Sequence, residues 1–277
     1  MCHTASPQCE KIHTRSVKIQ QVLDALERFA PLPLQESWDN AGLQTGLTEA
    51  EVSGALLCLD VTPQVVGEAV ARGCNLVVSH HPLLFHGLKQ IADRDDVQRV
   101  VRRAIKDDIC IVSLHTNMDN ARGGVNWRIA AKLGLCDVDF LAKKSVGGLQ
   151  GGSGVIGTLP KAADALTFIN DVKETFGVAC AQCNELLARP VSRVAVCGGA
   201  GDFLLTEAVG AGADAFITGE MHYHVFFGHE QEIQICVIGH YQSEQYTAEI
   251  FRDILQRDCP GVACHIAETN TNPIKYV

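Results

Sequence analysis

Two adjacent histidines, His80 and His81, follow directly on the apolar run Asn75-Leu76-Val77-Val78-Ser79, and Pro82 stops the run. A β-branched run of this kind reads as a buried strand. Imidazoles at the end of such a strand lie at the rim of a sheet, where open α/β folds keep their ligand sites. Neighbouring strand residues point to opposite sides, so the pair suits two metals, or one metal and one hydrogen bond, better than a single ion. The arrangement recurs. The run 109–114 ends in His115, with Asp119 four residues on; the run 233–238 ends in Gly239-His240, with Glu244 four residues on; the run 54–59 ends in Asp60. Taken singly, each histidine reads more readily as a hydrogen-bonded core or rim residue. Jointly, three strand ends bearing imidazole, two followed by a carboxylate, point to a metal site, and this donor chemistry suits Zn, Fe, Mn, Co or Ni.

The elements that would position these groups alternate. Helical spacing covers 17–30, with Pro31 and Pro33 ending it, and a polar loop with one aromatic, Glu36-Ser37-Trp38-Asp39-Asn40-Ala41-Gly42, comes next. Strand 54–60, a helix from Thr62-Pro63 to 72, strand 75–79, a loop to 91, helix 96–106, strand 109–114 and helix 123–135 follow. Residues 142–154 are rich in Gly and Ser and read as a hinge. Beyond it lie strand 153–159, helix 163–176, strand 192–197, helix 203–211, strands 214–219 and 233–239, and helix 243–257. Such alternation predicts an α/β fold with mixed, mostly parallel sheets. The domain reading is a flexible tail over 1–16, a first α/β lobe over 17–145 and a second over 146–277, with the segment from about 240 packing back on the first lobe and a metal cleft between the lobes.

Composition narrows the function classes. The chain has 277 residues, 47% apolar and 20% charged, with net charge −9. That is globular and lacks the basic footprint of a nucleic-acid binder, so nucleic acid is not an expected partner. No run approaches a membrane span, and the first sixteen residues lack the apolar core of a secretory signal. Cys2, His3, Cys9 and His13 in that tail imitate a metal tract, but a loose terminus is the simpler reading. Of 12 cysteines, Cys58, Cys110, Cys197 and Cys236 lie inside apparent strands and behave as small hydrophobes. A reducing compartment, the cytoplasm, follows. Cys180-x-x-Cys183 has no second pair to complete a thiolate zinc site. Gly198-Gly199-Ala200-Gly201 follows a strand and precedes a helix, the right context for anion binding, yet it lacks the P-loop lysine and reads more readily as a tight turn that needs glycine.

Seven blocks, in order along the chain, carry a resemblance. They are Ser37-Trp38-Asp39-Asn40-Ala41-Gly42-Leu43, Leu59-Asp60-Val61-Thr62, Ser79-His80-His81-Pro82-Leu83, Leu114-His115-Thr116-Asn117-Met118-Asp119, Gly198-Gly199-Ala200-Gly201, Thr218-Gly219-Glu220-Met221-His222-Tyr223-His224 and Gly239-His240-Tyr241-Gln242-Ser243-Glu244. From about Val17 onward the chain resembles the Nif-three-like family, also called the type 2 homologues of GTP cyclohydrolase I. The resemblance implies two α/β lobes, a dinuclear metal site between them and a ring-shaped homohexamer. Carried over residue by residue, it implies His80, His81, Asp119, His240 and Glu244 as ligands of two divalent ions, with Glu244 bridging. The span from Cys183 to Val191 is too short for the extra domain of larger members, and His222 departs from the family pattern.

Five donors for two ions leave open positions, as a catalytic site needs. His115, Glu220 and His224 are then the acid–base or orienting candidates. The expected function is a metal-dependent hydrolase acting on a nucleotide or another phosphate-containing small molecule. In the version the family name suggests, water attacks C8 of the GTP purine and formate is lost. Phosphate contacts would come from the glycine loop or from Lys89 and Arg94. The alternative is a non-catalytic metal-binding ring, a scaffold or metal handler.

Overall fold

The computed structural model describes residues 16–275 and Val277, so the reading of residues 1–15 as a tail lies outside the described part. The first half runs α1 (Ile19–Phe29), β1 (Gly42–Thr45), β2 (Ala55–Cys58), α2 (Pro63–Ala71), β3 (Leu76–Ser79), α3 (Asp96–Lys106), β4 (Cys110–Ser113), α4 (Thr116–Asp119) and α5 (Val125–Lys132). A long ribbon follows, β5 (Cys136–Val146) and β6 (Leu149–Ala163), then α6 (Ala165–Phe176), β7 (Gln182–Cys183), β8 (Val191–Cys197), α7 (Leu205–Gly210), β9 (Ala215–Thr218) and β10 (Gln234–Val237). The chain closes with α8 (His240–Glu244), α9 (Thr247–Asp258) and β11 (Cys264–Ile266).

Two mixed sheets result. The first has the order β1-β4-β3-β2-β11, parallel except for β1. The second has the order β5-β6-β8-β9-β10-β7, in which parallel pairing is confined to β8, β9 and β10. Every residue of β2, β3, β4, β9 and β10 is buried, because helices cover both faces. One core lies between the sheets, where Leu57, Val78 and Val112 of the first and Val194, Val196 and Ile217 of the second share a cluster with α1, α5 and α9. The outer face of the first sheet packs on α2 and α3, that of the second on α7. Helix starts follow local chemistry: Thr62, Asp95 and Asp164 each cap a helix by accepting from the backbone N–H three residues on.

This layering aims the C-terminal ends of parallel strands from both sheets at one place. His80 and His81 leave β3, His115 leaves β4, Gly198 leaves β8, Glu220 follows β9, and His240 follows β10.

The sequence reading needs three corrections here. The glycine-rich run is not a hinge but the tip and inner strand of the β5–β6 ribbon. Gly147 and Gly148 turn it with φ of 57° and 85°, the two left-handed positions of a tight hairpin. A Cβ on Gly151 would lie 2.7 Å from the Asn120 carbonyl, and one on Gly152 2.6 Å from that of Ala142, so glycine is demanded by close backbone approach. Strands β1, β5, β7 and β11 and helix α4 are additional to the elements the sequence predicts. The single helix expected over 243–257 is two, α8 and α9.

The turn that carries His115 hangs on Asn117, which is fully buried. Its Nδ2 donates to the Ala30 carbonyl at 2.7 Å and its Oδ1 accepts from the His115 N–H at 3.0 Å. Asn117→Ala orphans both backbone groups. A loss of about 2–3 kcal/mol in unfolding free energy is expected, read as a lower urea midpoint; an unchanged midpoint would show that these bonds contribute nothing.

Candidate metal centre

His80 is fully buried, and its Nδ1 lies 2.8 Å from the Leu114 carbonyl. A carbonyl only accepts, so the proton sits on Nδ1 and Nε2 carries a lone pair. Burial keeps this imidazole below its ordinary pKa, hence neutral. The Nε2 lone pair faces Asp119 Oδ1 and Glu244 Oε1, each at 3.6 Å, and finds no hydrogen-bond partner. Three electron-rich atoms thus converge on a space with no donor among them.

A second group lies on the other side of Glu244. His81 Nδ1 is 2.7 Å from Asp60 Oδ1, and His240 Nδ1 is 2.9 Å from Glu220 Oε1. Each ring is oriented by a carboxylate and aims Nε2 inward. The two Nε2 atoms stand 3.3 Å apart, at 3.1 and 3.0 Å from Glu244 Oε2. His240 and Glu244 meet because they are four residues apart on one face of α8.

These distances have a chemical meaning. Two atoms that each ligate one tetrahedral ion at roughly 2.0–2.2 Å lie roughly 3.3–3.6 Å apart, and closer when six-coordinate. The distances from His80 to Asp119 and Glu244, and those within His81–His240–Glu244, are of this order, and each trio could hold a metal ion. A third trio, His80–His81–His115, is also close enough.

The electrostatics say the same. Burial opposes charge on Glu244, but His240 and His81, each within bonding distance of its Oε2, hold its carboxyl well below the usual range. Burial and the Glu244 charge push Asp119 well above it. Burial disfavours charge on His81 and His240, yet Asp60 and Glu244 raise the first to about 10, and Glu244 raises the second to about 9. The cluster demands positive charge, whether as protons or as a cation.

The remaining candidates separate. His115 Nδ1 lies 2.8 Å from Asp39 Oδ1, whose other oxygen accepts from the Thr116 N–H at 3.0 Å. Burial works against the Asp39 charge, but His115 and Thr116 prevail and hold it down at about 2. The His115 ring stands 5.3 and 5.4 Å from those of His80 and His81. Glu220 reaches the cluster through His240. His224 is not brought there; it is exposed and stacks with Tyr223 and Phe227. Nor is His222, which is exposed and bonds Asp202. Asp39, which orients His115, stands in the sequence only as part of a polar loop and of the first resemblance block, with no role of its own; its place beside the loop's one aromatic and within that block is the signal for it.

Three N–H groups of the glycine loop are engaged within the protein. The Gly198 N–H donates to Asn126 Oδ1, that of Gly199 to Ser243 Oγ and that of Gly201 to Thr218 Oγ1. Those bonds hold the loop against Glu244, with Gly199 so close that a Cβ there would meet the carboxylate. Lys89 and Arg94 are exposed and do not line the cavity over the cluster. That cavity has a volume of about 610 Å3 and exposes His81, His115, Asp119, His240 and Glu244 on its wall.

Comparison with known proteins places this geometry in context. The family described as Duf34/NIF3 (NGG1p interacting factor 3) matches residues 17–273. A Clostridium perfringens protein named GTP cyclohydrolase 1 type 2 homolog is 33% identical over 229 residues, 82% of this chain and 87% of its own length. A Clostridium acetobutylicum protein of the same name is 28% identical over 94% of this chain and 99% of its own. The crystal structure of a Bacillus cereus protein related to NIF3 superposes with TM-score 0.86 at 24% identity, covering 95% of this chain and 100% of the other.

Gly199 has φ of +63°, and a Cβ there would lie 2.4 Å from Glu244 Oε1. Gly199→Ala therefore displaces the carboxylate. Affinity for added Zn(II), measured by chelator competition, is expected to fall roughly 10–100-fold, the usual effect of disturbing a ligand's support. Wild-type affinity in that variant would refute the placement of Glu244.

Proposed function

The chain belongs to the Duf34/NIF3 family, and on that premise we propose that it is a dinuclear metal-dependent hydrolase. His80, Asp119 and Glu244 would hold one ion, and His81, His240 and Glu244 the other. The observation that carries this reading is the buried, partnerless Nε2 of His80 facing two carboxylates, mirrored across Glu244 by two imidazoles that face each other. The donors are imidazole and carboxylate, which suits Zn, Fe, Mn, Co or Ni. Bound there, a pair of divalent ions supplies Lewis acidity and lowers the pKa of a water.

The chain's own groups do the rest. Asp60 and Glu220 fix the tautomers of His81 and His240 by accepting from Nδ1–H. Asp39 does the same for His115 and leaves its Nε2 to accept or return a proton at the cavity wall. A scaffold would need the donors but no proton-handling group and no cavity over them; the His115–Asp39 pair and the open cavity support catalysis. The substrate class that the relatives' names suggest is a nucleotide. A phosphoester reaction is within reach of the same centre. A homohexamer in the cytoplasm completes the reading. Among the described residues no helix is long and apolar enough to cross a membrane.

The test screens nucleotides and simple phosphoesters with added Zn, Mn, Fe or Ni, then compares variants on the best substrate. His115→Ala should keep its metal and lose roughly 10²–10⁴-fold in turnover. Glu244→Gln should lose metal and activity together. Full metal in Glu244→Gln, or full activity in His115→Ala, contradicts the assignment, and light scattering that gives a stable monomer removes the hexamer.

A further inference from the structure

Three imidazoles at the cavity are each oriented by a carboxylate, but the carboxylates are not held alike. Asp39, which orients His115, has its second oxygen filled by the N–H and the hydroxyl of Thr116. Asp60 accepts from His81 Nδ1 through Oδ1 at 2.7 Å, and its Oδ2 accepts from the Thr271 hydroxyl at 2.6 Å. Among the described residues Glu220, which orients His240, accepts no second side-chain bond. A threonine–aspartate–histidine unit thus occurs twice. In the second, the threonine comes from 211 positions away.

The chain after β11 is laid down so as to make this contact. The Ala267 N–H donates to the Leu57 carbonyl at 2.9 Å and extends the pairing with β2. The N–H groups of Glu268 and Thr269 and the Thr269 hydroxyl then donate to the Glu68 carboxylate on α2, at 2.9, 3.0 and 2.7 Å. Arg72 pairs with both Glu68 and Glu268. Past this anchor the side chains of Asn270 and Asn272 accept from the N–H groups of Asn272 and Ile274, which fixes the backbone on either side of Thr271. The segment is therefore docked on α2 independently of Thr271, and Thr271 is free to serve Asp60.

The second bond matters because of what it restrains. The terminal torsion of an aspartate is broad, so a carboxylate bound through one oxygen still rotates. A water on Oδ2 would move with it. A bond from a fixed hydroxyl to Oδ2 sets the plane of the group, and a hydroxyl donating to a carboxylate is among the stronger hydrogen bonds. Outer partners of this kind fix the orientation of a ligating imidazole.

We propose that Thr271, carried by the segment that follows β11, is a positioning residue of the metal centre: its hydroxyl locks Asp60, and through Asp60 the His81 ring, in the orientation that coordination needs. The inference rests on the metal reading only for its effect on affinity; the Thr271–Asp60–His81 alignment stands without an ion.

The experiment compares the full chain with Thr271→Val, Thr271→Ser and Thr269→Val. Valine matches threonine in shape, so the first variant keeps the fold and loses only the hydroxyl. Zn(II) affinity is read by chelator competition. Thr271→Val should weaken zinc roughly 10-fold, the lower end of what losing an outer partner costs, and Thr271→Ser should restore it. Thr269→Val removes a hydroxyl from the Glu68 anchor but leaves two backbone bonds there, and should bind zinc as the wild type does. The second readout uses the metal-free chain: the proton resonance of His81 Nδ1–H, assigned by its loss in His81→Gln. It should be sharp in wild type and in Thr271→Ser and broadened by exchange with water in Thr271→Val. A wild type that takes up no zinc sinks the metal reading, while the resonance still decides the positioning role. Wild-type zinc affinity together with an unchanged resonance in Thr271→Val overturns that role. Equal losses in Thr271→Val and Thr269→Val also overturn it, because Thr271 would then be one more anchor of the segment.

Discussion

The structure turns on one buried carboxylate. Glu244 is 3% exposed and sits among three imidazole nitrogens and a second carboxylate, with its two oxygens facing different ligand groups. Burying such a charge is costly unless positive charge meets it. The surrounding groups are arranged to admit that charge. His80 is held neutral with its lone pair inward. His81 and His240 are turned inward by Asp60 and Glu220. Asp119 stands opposite. Remove the carboxylate and the two groups lose their only shared member.

The fold exists, in functional terms, to bring Glu244 to His80 and His81 across a gap of more than 160 residues. Two sheets supply it by pointing the ends of β3 and β4 at the ends of β8, β9 and β10. The glycine loop after β8 is the fitting piece between them. Gly199 lies against Glu244 Oε1, and a Cβ on Gly219 would meet the Gly199 carbonyl at 2.7 Å and the His240 Cα at 2.9 Å. Ser243 and Asn126 tie the loop's N–H groups to α8 and to the start of α5. Backbone crowding of this kind holds a ligand to a few tenths of an ångström, which is what preorganised coordination asks of its support. The bonds from Gly198 and Gly199, with one from Gly201 to Thr218, engage within the protein itself three amides of a loop that has the context of an anion site.

Much of this was legible in the sequence. Buried parallel strands are continuous apolar runs, so β2, β3, β4, β9 and β10 declared themselves, and the histidines at their ends followed by position alone. His240 and Glu244 were legible as an i, i+4 pair. The ribbon β5–β6 was not, because much of it is solvent-facing and its glycines mimic a linker while meeting tight contacts with Asn120 and Ala142. β11 escaped because three residues carry no period, and its pairing with β2 is set by tertiary structure. Asp39 escaped for a related reason: its role is fixed by a 2.8 Å contact to a residue 76 positions away. His224 is the opposite case: it lies four residues beyond Glu220 in sequence, yet it is exposed beside Tyr223 and does not line the cavity over the cluster.

The central claim is that Glu244 separates two cation sites. Anomalous diffraction from crystals of the zinc-loaded protein, recorded above the zinc edge, measures this most directly. The account predicts two peaks, one among His80, Asp119 and Oε1 of Glu244 and one among His81, His240 and Oε2. A loaded, folded protein with a single peak, or with its peaks away from Glu244, would contradict it.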